Sequence, residues 1–130
     1  MSLLIDTHIL IWLLAGTSHL PSDIKATLAN RRNTVFLSAA STWEIAIKVG
    51  LGKLDLPPQL DAWLPAELDA AGLRLLPINL GHTLGVAALP LYHRDPFDRL
   101  IIAQAIADGL TIVTADRVFG LYDAPLIHVW

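Results

Sequence analysis

At 130 residues, with no cysteine, the chain has the length of one domain able to bury a real core and has no means for a disulfide framework or a thiolate metal site. Its net charge of −3 weighs against nucleic acid only weakly, because local charge overrides a total. A hydrophobic content of 54% against 16% charged residues points to a sheet wrapped on both faces, together with an apolar surface kept for a partner.

Ser2-Leu3-Leu4-Ile5 reads as a short buried strand ending at Asp6. Residues 7–14 follow as a helix that is apolar all round, hence buried, and stopped by Gly16. The apolar run at 9–15 is too short to cross a membrane and follows no basic segment, so a cytoplasmic protein is expected. Residues 21–30 form a second helix, with Ile24 and Leu28 on one face. Thr34-Val35-Phe36-Leu37-Ser38 is a β-branched and aromatic strand. Ser41 and Glu44 have the spacing of a capping box, which predicts a helix from Ser41 to about Leu51. Gly52-Lys53 is not part of a phosphate loop, because Ile47 stands where that pattern needs glycine. Residues 60–71 give an irregular helix broken by Pro65, and Leu73-Arg74-Leu75-Leu76 a strand that stops at Pro77. Residues 79–89 are a weak helix containing Gly81 and Gly85. The clearest helix spans residues 95–108: Asp95 caps it, Pro96 takes the first position and Gly109 stops it. A clean strand at 110–114 precedes Asp116, and residues 126–129 form the last strand.

Strands that are continuous apolar runs, alternating with helices, predict an α/β domain over residues 1–130. Its core is a doubly wound parallel sheet of about five short strands flanked by helices. Ligands of such sheets lie outside the carboxyl ends of the strands, where the strand order reverses. Asp6 and Asp116 each follow a strand, while Glu44 and Asp98 lie in first helical turns, so all four carboxylates are expected at one rim. Crowded carboxylates repel and their pKa values rise unless a cation joins them. Oxygen-only ligands suit Mg²⁺ or Mn²⁺, which activates water and stabilises a phosphodiester under attack.

Each acid also has a structural reading. Glu44 completes the capping box and pairs with Lys48, Asp98 serves the helix dipole, and Asp116 caps a short turn. Asp6, ending the first buried strand, is the hardest to explain in that way. Thr7 and Thr114 place hydroxyls near the rim, and Asp95 reads as a cap before a ligand. His8 lies near the rim without a partner that would make it a base. His19, His82, His93 and His128 read as surface or packing residues, and Trp12, Trp43 and Trp63 as core. Lys48, Lys53, Arg94, Arg99 and Arg117 accompany the acidic motifs and form a basic rim suited to a polyanion.

Four stretches in order carry a family resemblance: Leu3-Leu4-Ile5-Asp6-Thr7-His8; Ser41-Thr42-Trp43-Glu44-Ile45-Ala46-Ile47-Lys48 with Leu51-Gly52-Lys53-Leu54; Asp95-Pro96-Phe97-Asp98-Arg99; and Val113-Thr114-Ala115-Asp116. The chain resembles the PIN domains, most closely the VapC-type toxins of type II toxin–antitoxin pairs. The resemblance puts the family's acidic residues on Asp6, Glu44, Asp98 and Asp116. It implies Mg²⁺- or Mn²⁺-dependent ribonuclease activity on RNA, a homodimer and a small antitoxin that blocks the site. A phospho-receiver domain is disfavoured, because no Lys follows Lys53. A haloacid-dehalogenase-type phosphatase needs Asp-x-Asp after the first strand, where this chain has Asp6-Thr7-His8. A non-catalytic binding module on the same fold is the remaining alternative.

Overall fold

The computed structural model describes residues 1–16 and 19–130. Five strands, β1 (Ser2–Ile5), β2 (Thr34–Ser38), β3 (Leu73–Leu76), β4 (Thr111–Thr114) and β5 (Leu126–His128), form one sheet in the order β3-β2-β1-β4-β5. Every pairing is parallel. The order reverses at β1, so the crevice between β1 and β4 is the topological switch point.

Alternation along β1 divides the core. Leu3 and Ile5 pack into one apolar cluster with Ile9, Leu10, Ile24, Leu28, Ile45 and Leu64. Leu4 packs into the other with Ile101, Ile102, Ala105, Ile112 and Phe119. Helices α1 (Thr7–Ala15), α2 (Ser22–Ala29), α3 (Ala39–Gly50) and α4 (Leu60–Ala70) supply side chains to the first cluster, and α6 (Pro96–Asp108) to the second. α5 (Leu80–Gly85) lies against α6. The doubly wound sheet of five short strands is therefore as expected. Among the described residues no helix is long and apolar enough to cross a membrane.

Several local expectations are corrected. α3 starts at Ala39, not Ser41. Its cap is Ser38, whose hydroxyl accepts from Ala40 N at 2.9 Å, so Ser41 and Glu44 make no capping box. The Ser38 hydroxyl accepts from Ala40 N while donating its own proton to Gln104 Oε1, 66 residues away, a contact that local spacing does not reveal. α4 runs unbroken through Pro65. A proline there removes one backbone donor, and the helix tolerates that because the freed carbonyl belongs to exposed Asp61. α1 is not buried all round: Ile9 and Leu10 face the sheet, but Trp12, Leu13 and Leu14 are half-buried and His8 is exposed. The weak helix at 79–89 divides into α5 and a 3₁₀ turn, Val86–Ala88. Trp43 is 58% exposed rather than core. α6 matches its expectation: Asp95 Oδ1 accepts from Phe97 N and Asp98 N, and Gly109 closes the helix at φ 67°, a conformation natural to glycine.

Candidate active site

Three contacts tie together the elements that carry the four acids. Asp6 leaves β1 at the switch point and caps α1, its Oδ1 accepting from Ile9 N at 2.8 Å. Its Oδ2 accepts from the Thr114 hydroxyl at 2.5 Å, which ties the end of β1 to the end of β4. Thr7, the next residue, donates to Ser41 Oγ at 2.9 Å and so fastens the start of α1 to α3. Glu44 is one helical turn beyond Ser41 and shares its face. Trp43 meets Phe97 edge-on at 5.1 Å, which joins α3 to the first turn of α6, where Asp98 lies.

The acids differ in what else they do. Asp6 is buried, and burial raises its pKa above the usual carboxylate value. The Thr114 and Ile9 hydrogen bonds and the charge of His8 work against that rise, while Asp116 adds to it. Glu44 is buried and pairs with Lys48 Nζ at 2.7 Å, as the i,i+4 spacing suggested. Asp116 caps the 3₁₀ helix Arg117–Leu121, accepting from Val118 N at 2.9 Å, so its structural reading holds alongside any other. Asp98 accepts no hydrogen bond among the described residues. Asp95 caps the helix in its place, and the Asp98 pKa is pushed up to about 8. Burial is the largest cause, followed by the charges of Asp95, Asp6, Glu44 and Asp116. A first-turn acid serving mainly the dipole would move the other way.

The charges of Asp6, Glu44 and Asp116 thus all act on Asp98. Among the described residues no three acids or histidines already stand close enough to hold a metal ion. The donor set nevertheless suits a hard divalent cation. It is oxygen only, partly buried, and carries more negative charge than the neighbouring cations offset. Of the supporting candidates, Thr114 orients Asp6, Thr7 orients Ser41, Lys48 holds Glu44 and Asp95 is the cap.

Two further residues near the site were misread from the sequence. Arg99 is not part of a basic rim: it is buried and donates to the carbonyls of Val86, Leu89 and Pro90. His93 is not a bystander, since its Nε2 lies 3.7 Å from Asp98 Oδ2. Nothing in local spacing marks either one, because their partners come from loops and from Tyr122. Lys53, Arg94 and Arg117 do remain exposed.

Thr114→Val tests the strap between the strands. Valine keeps the shape but leaves an Asp6 oxygen and the Asp116 N–H without the hydroxyl they share. A loss of about 1–3 kcal/mol is expected as a lower urea midpoint. The deficit should widen as pH rises through the folded pKa of Asp6, because the hydroxyl serves the ionised carboxylate. An unchanged midpoint would deny the strap any energetic role.

A family model described as the PIN domain matches residues 3–125. Ribonuclease VapC22 of Mycobacterium tuberculosis is 28% identical over 131 residues, spanning 99% of this chain and 98% of that protein. Ribonuclease VapC16 of the same organism is 37% identical over 62 residues, 48% of this chain; the chain spans only 44% of the length of VapC16 in that match. Among solved structures, VapBC2 from Rickettsia felis, bound to a DNA fragment from its promoter, superposes with a TM-score of 0.75. It is 21% identical over 98% of both chains, a likeness of fold.

Proposed function

The chain belongs to the PIN-domain family, and from that premise we propose that it is a VapC-type toxin: a Mg²⁺- or Mn²⁺-dependent endoribonuclease working through Asp6, Glu44, Asp98 and Asp116. The observation that carries this reading is geometric: Asp6 ends β1 at the switch point and is tied by Thr114 to the end of β4, two residues before Asp116, while Asp98 stands partly buried in the first turn of α6 with no hydrogen bond of its own among the described residues. A non-catalytic module would have no use for a half-buried carboxylate that caps nothing. The ribonuclease names of VapC16 and VapC22 support the same activity.

In this reading the four carboxylates hold the cation, which when bound supplies activated water and charge compensation at the scissile phosphate. The chain's own contribution is orientation. Thr114 and Ile9 N fix both oxygens of Asp6, so that carboxylate does not rotate. Lys48 holds Glu44 in place at 2.7 Å and offsets part of the negative charge that an RNA phosphate would meet. Exposed Lys53, Arg94 and Arg117 give the polyanion a local attraction that the net charge of −3 does not.

A cognate antitoxin is the expected partner. α3, α4 and β3 frame an apolar groove of about 770 Å³ whose walls include Leu60, Leu64, Leu68, Leu73 and Leu75. A second groove of about 360 Å³ lies beside Ile11, Leu14 and Trp63. Both suit an apolar segment of a partner, with a basic side chain reaching the acids. The exposed Leu80, Leu84 and Ile106 on α5 and α6 suit the homodimer that the family implies. A cytoplasmic location accords with both.

The test is cleavage of single-stranded RNA by the purified chain. Activity should vanish in EDTA and return with excess Mn²⁺, leaving 5′-phosphate and 3′-hydroxyl ends. Cleavage that persists in EDTA would refute the metal-dependent mechanism.

A further inference from the structure

His93 Nε2 is a buried polar atom with no hydrogen-bond partner among the described residues. The position of its proton follows from counting donors. Arg99 is a donor only. Its Nη2 serves Val86 O at 3.2 Å and Leu89 O at 3.3 Å, and its Nη1 serves Pro90 O at 2.8 Å and the Tyr122 hydroxyl at 3.3 Å. The same Tyr122 oxygen accepts from His93 N at 3.3 Å. With both lone pairs occupied, the phenol has its own proton to give, and His93 Nδ1 lies 2.7 Å away. Nδ1 is therefore the acceptor, and the neutral imidazole carries its hydrogen on Nε2. That N–H faces Asp98 Oδ2 at 3.7 Å. The ring cannot swing freely toward it, because it packs against Phe119 and Tyr122 at centroid distances of 5.8 and 5.4 Å. A shift of Asp98 by about 0.8 Å brings the pair to ordinary hydrogen-bond length.

We infer that His93 is the positioning residue for Asp98: Arg99 and Tyr122 fix its Nε2–H tautomer, and that N–H orients the Asp98 carboxylate for the cation. The inference rests on the reading of Asp98 as a cation ligand. It gives buried Arg99 a role at the site although its guanidinium contacts none of the four acids. A hydrogen-bonded outer group of this kind is worth about 10–100-fold in metal affinity.

The experiment is Mn²⁺ titration of the whole chain, read by the electron paramagnetic resonance of free Mn²⁺. His93→Asn keeps an acceptor near Nδ1 for Tyr122 but does not reach Asp98; its affinity should fall about tenfold. His93→Gln places an amide near the Nε2 position and should recover most of that loss. Tyr122→Phe keeps the ring packing, releases the tautomer and should lose affinity in the same direction as His93→Asn, by a smaller factor. Equal losses in His93→Asn and His93→Gln would mark a packing role and overturn the inference. So would wild-type affinity in both His93→Asn and Tyr122→Phe, while leaving the cation site standing. If His93→Asn does not fold, Tyr122→Phe decides by the same criterion. A wild-type chain that binds no Mn²⁺ overturns the cation site and this inference together.

Discussion

Asp98→Asn should make the metal-free protein more stable at pH 7. The wild-type carboxyl has its pKa raised from 3.8 to about 8 by burial and by four neighbouring acids, so folding disfavours its charged form. Below pH 3.8 both states are protonated and no penalty exists. The penalty grows as pH rises between the unfolded and folded values and is complete above about pH 8. Each unit of difference corresponds to about 1.4 kcal/mol, and water reaching the partly open site reduces the total, so a gain of about 1–3 kcal/mol is expected for the asparagine variant. For a domain of this size the melting temperature would rise by about 4 °C per kcal/mol. The advantage should shrink towards nothing near pH 4. In millimolar Mg²⁺ the order should reverse or close, because on the proposed function the cation stabilises the wild type by mass action and the variant lacks one of its ligands. Thermal unfolding of both proteins in EDTA and in Mg²⁺, at pH 4 and pH 7, measures all four corners. An asparagine variant that melts lower in EDTA and still gains stability from Mg²⁺ would return Asp98 to a role at the helix dipole.

That penalty is unusual beside the rest of the acids, each of which has found a use. Asp6 caps α1, Asp116 caps a 3₁₀ helix and Glu44 pairs with Lys48. Their structural and functional readings are not rivals, because a carboxylate oxygen that accepts one hydrogen bond keeps a lone pair for another partner. Asp98 alone has no such return, and its cost in the apo protein is what a cation would relieve.

The strands and the rim acids were legible because their signals are local. A continuous apolar run such as Leu3-Leu4-Ile5 marks a strand buried on both faces, and an acid at its end falls at the ligand edge of a parallel sheet. Asp95-Pro96 and Gly109 bracket α6 for equally local reasons. What was misread depends on partners distant in sequence. Ser38 begins α3 early with a hydroxyl that also engages Gln104, and Arg99 is buried because three loop carbonyls await it. His93 gains its orientation from Tyr122, 29 residues further on. Trp43 was placed in the core by residue type, whereas on a helix whose buried positions are Ala40, Ser41, Glu44 and Ile45 it faces outwards towards Phe97.

Loss of cleavage in four single variants is the second large effect, and it bears directly on whether Asp6, Glu44, Asp98 and Asp116 act as one site. Asn or Gln keeps each side chain's size and an acceptor oxygen, so Asp116→Asn still caps its 3₁₀ helix and Asp6→Asn still accepts from Ile9 N. What each variant removes is one negative charge from the proposed cation site. Groups that act as a unit each cost nearly the whole activity when removed, and their effects do not add. Measured on one 5′-labelled single-stranded RNA in Mn²⁺, with folding matched by circular dichroism, Asp6→Asn, Glu44→Gln, Asp98→Asn and Asp116→Asn should each lose at least about 100-fold in rate, and a double variant little more. If any one of the four cleaves at close to the wild-type rate, that carboxylate does not belong to the site, and the four-acid account is contradicted.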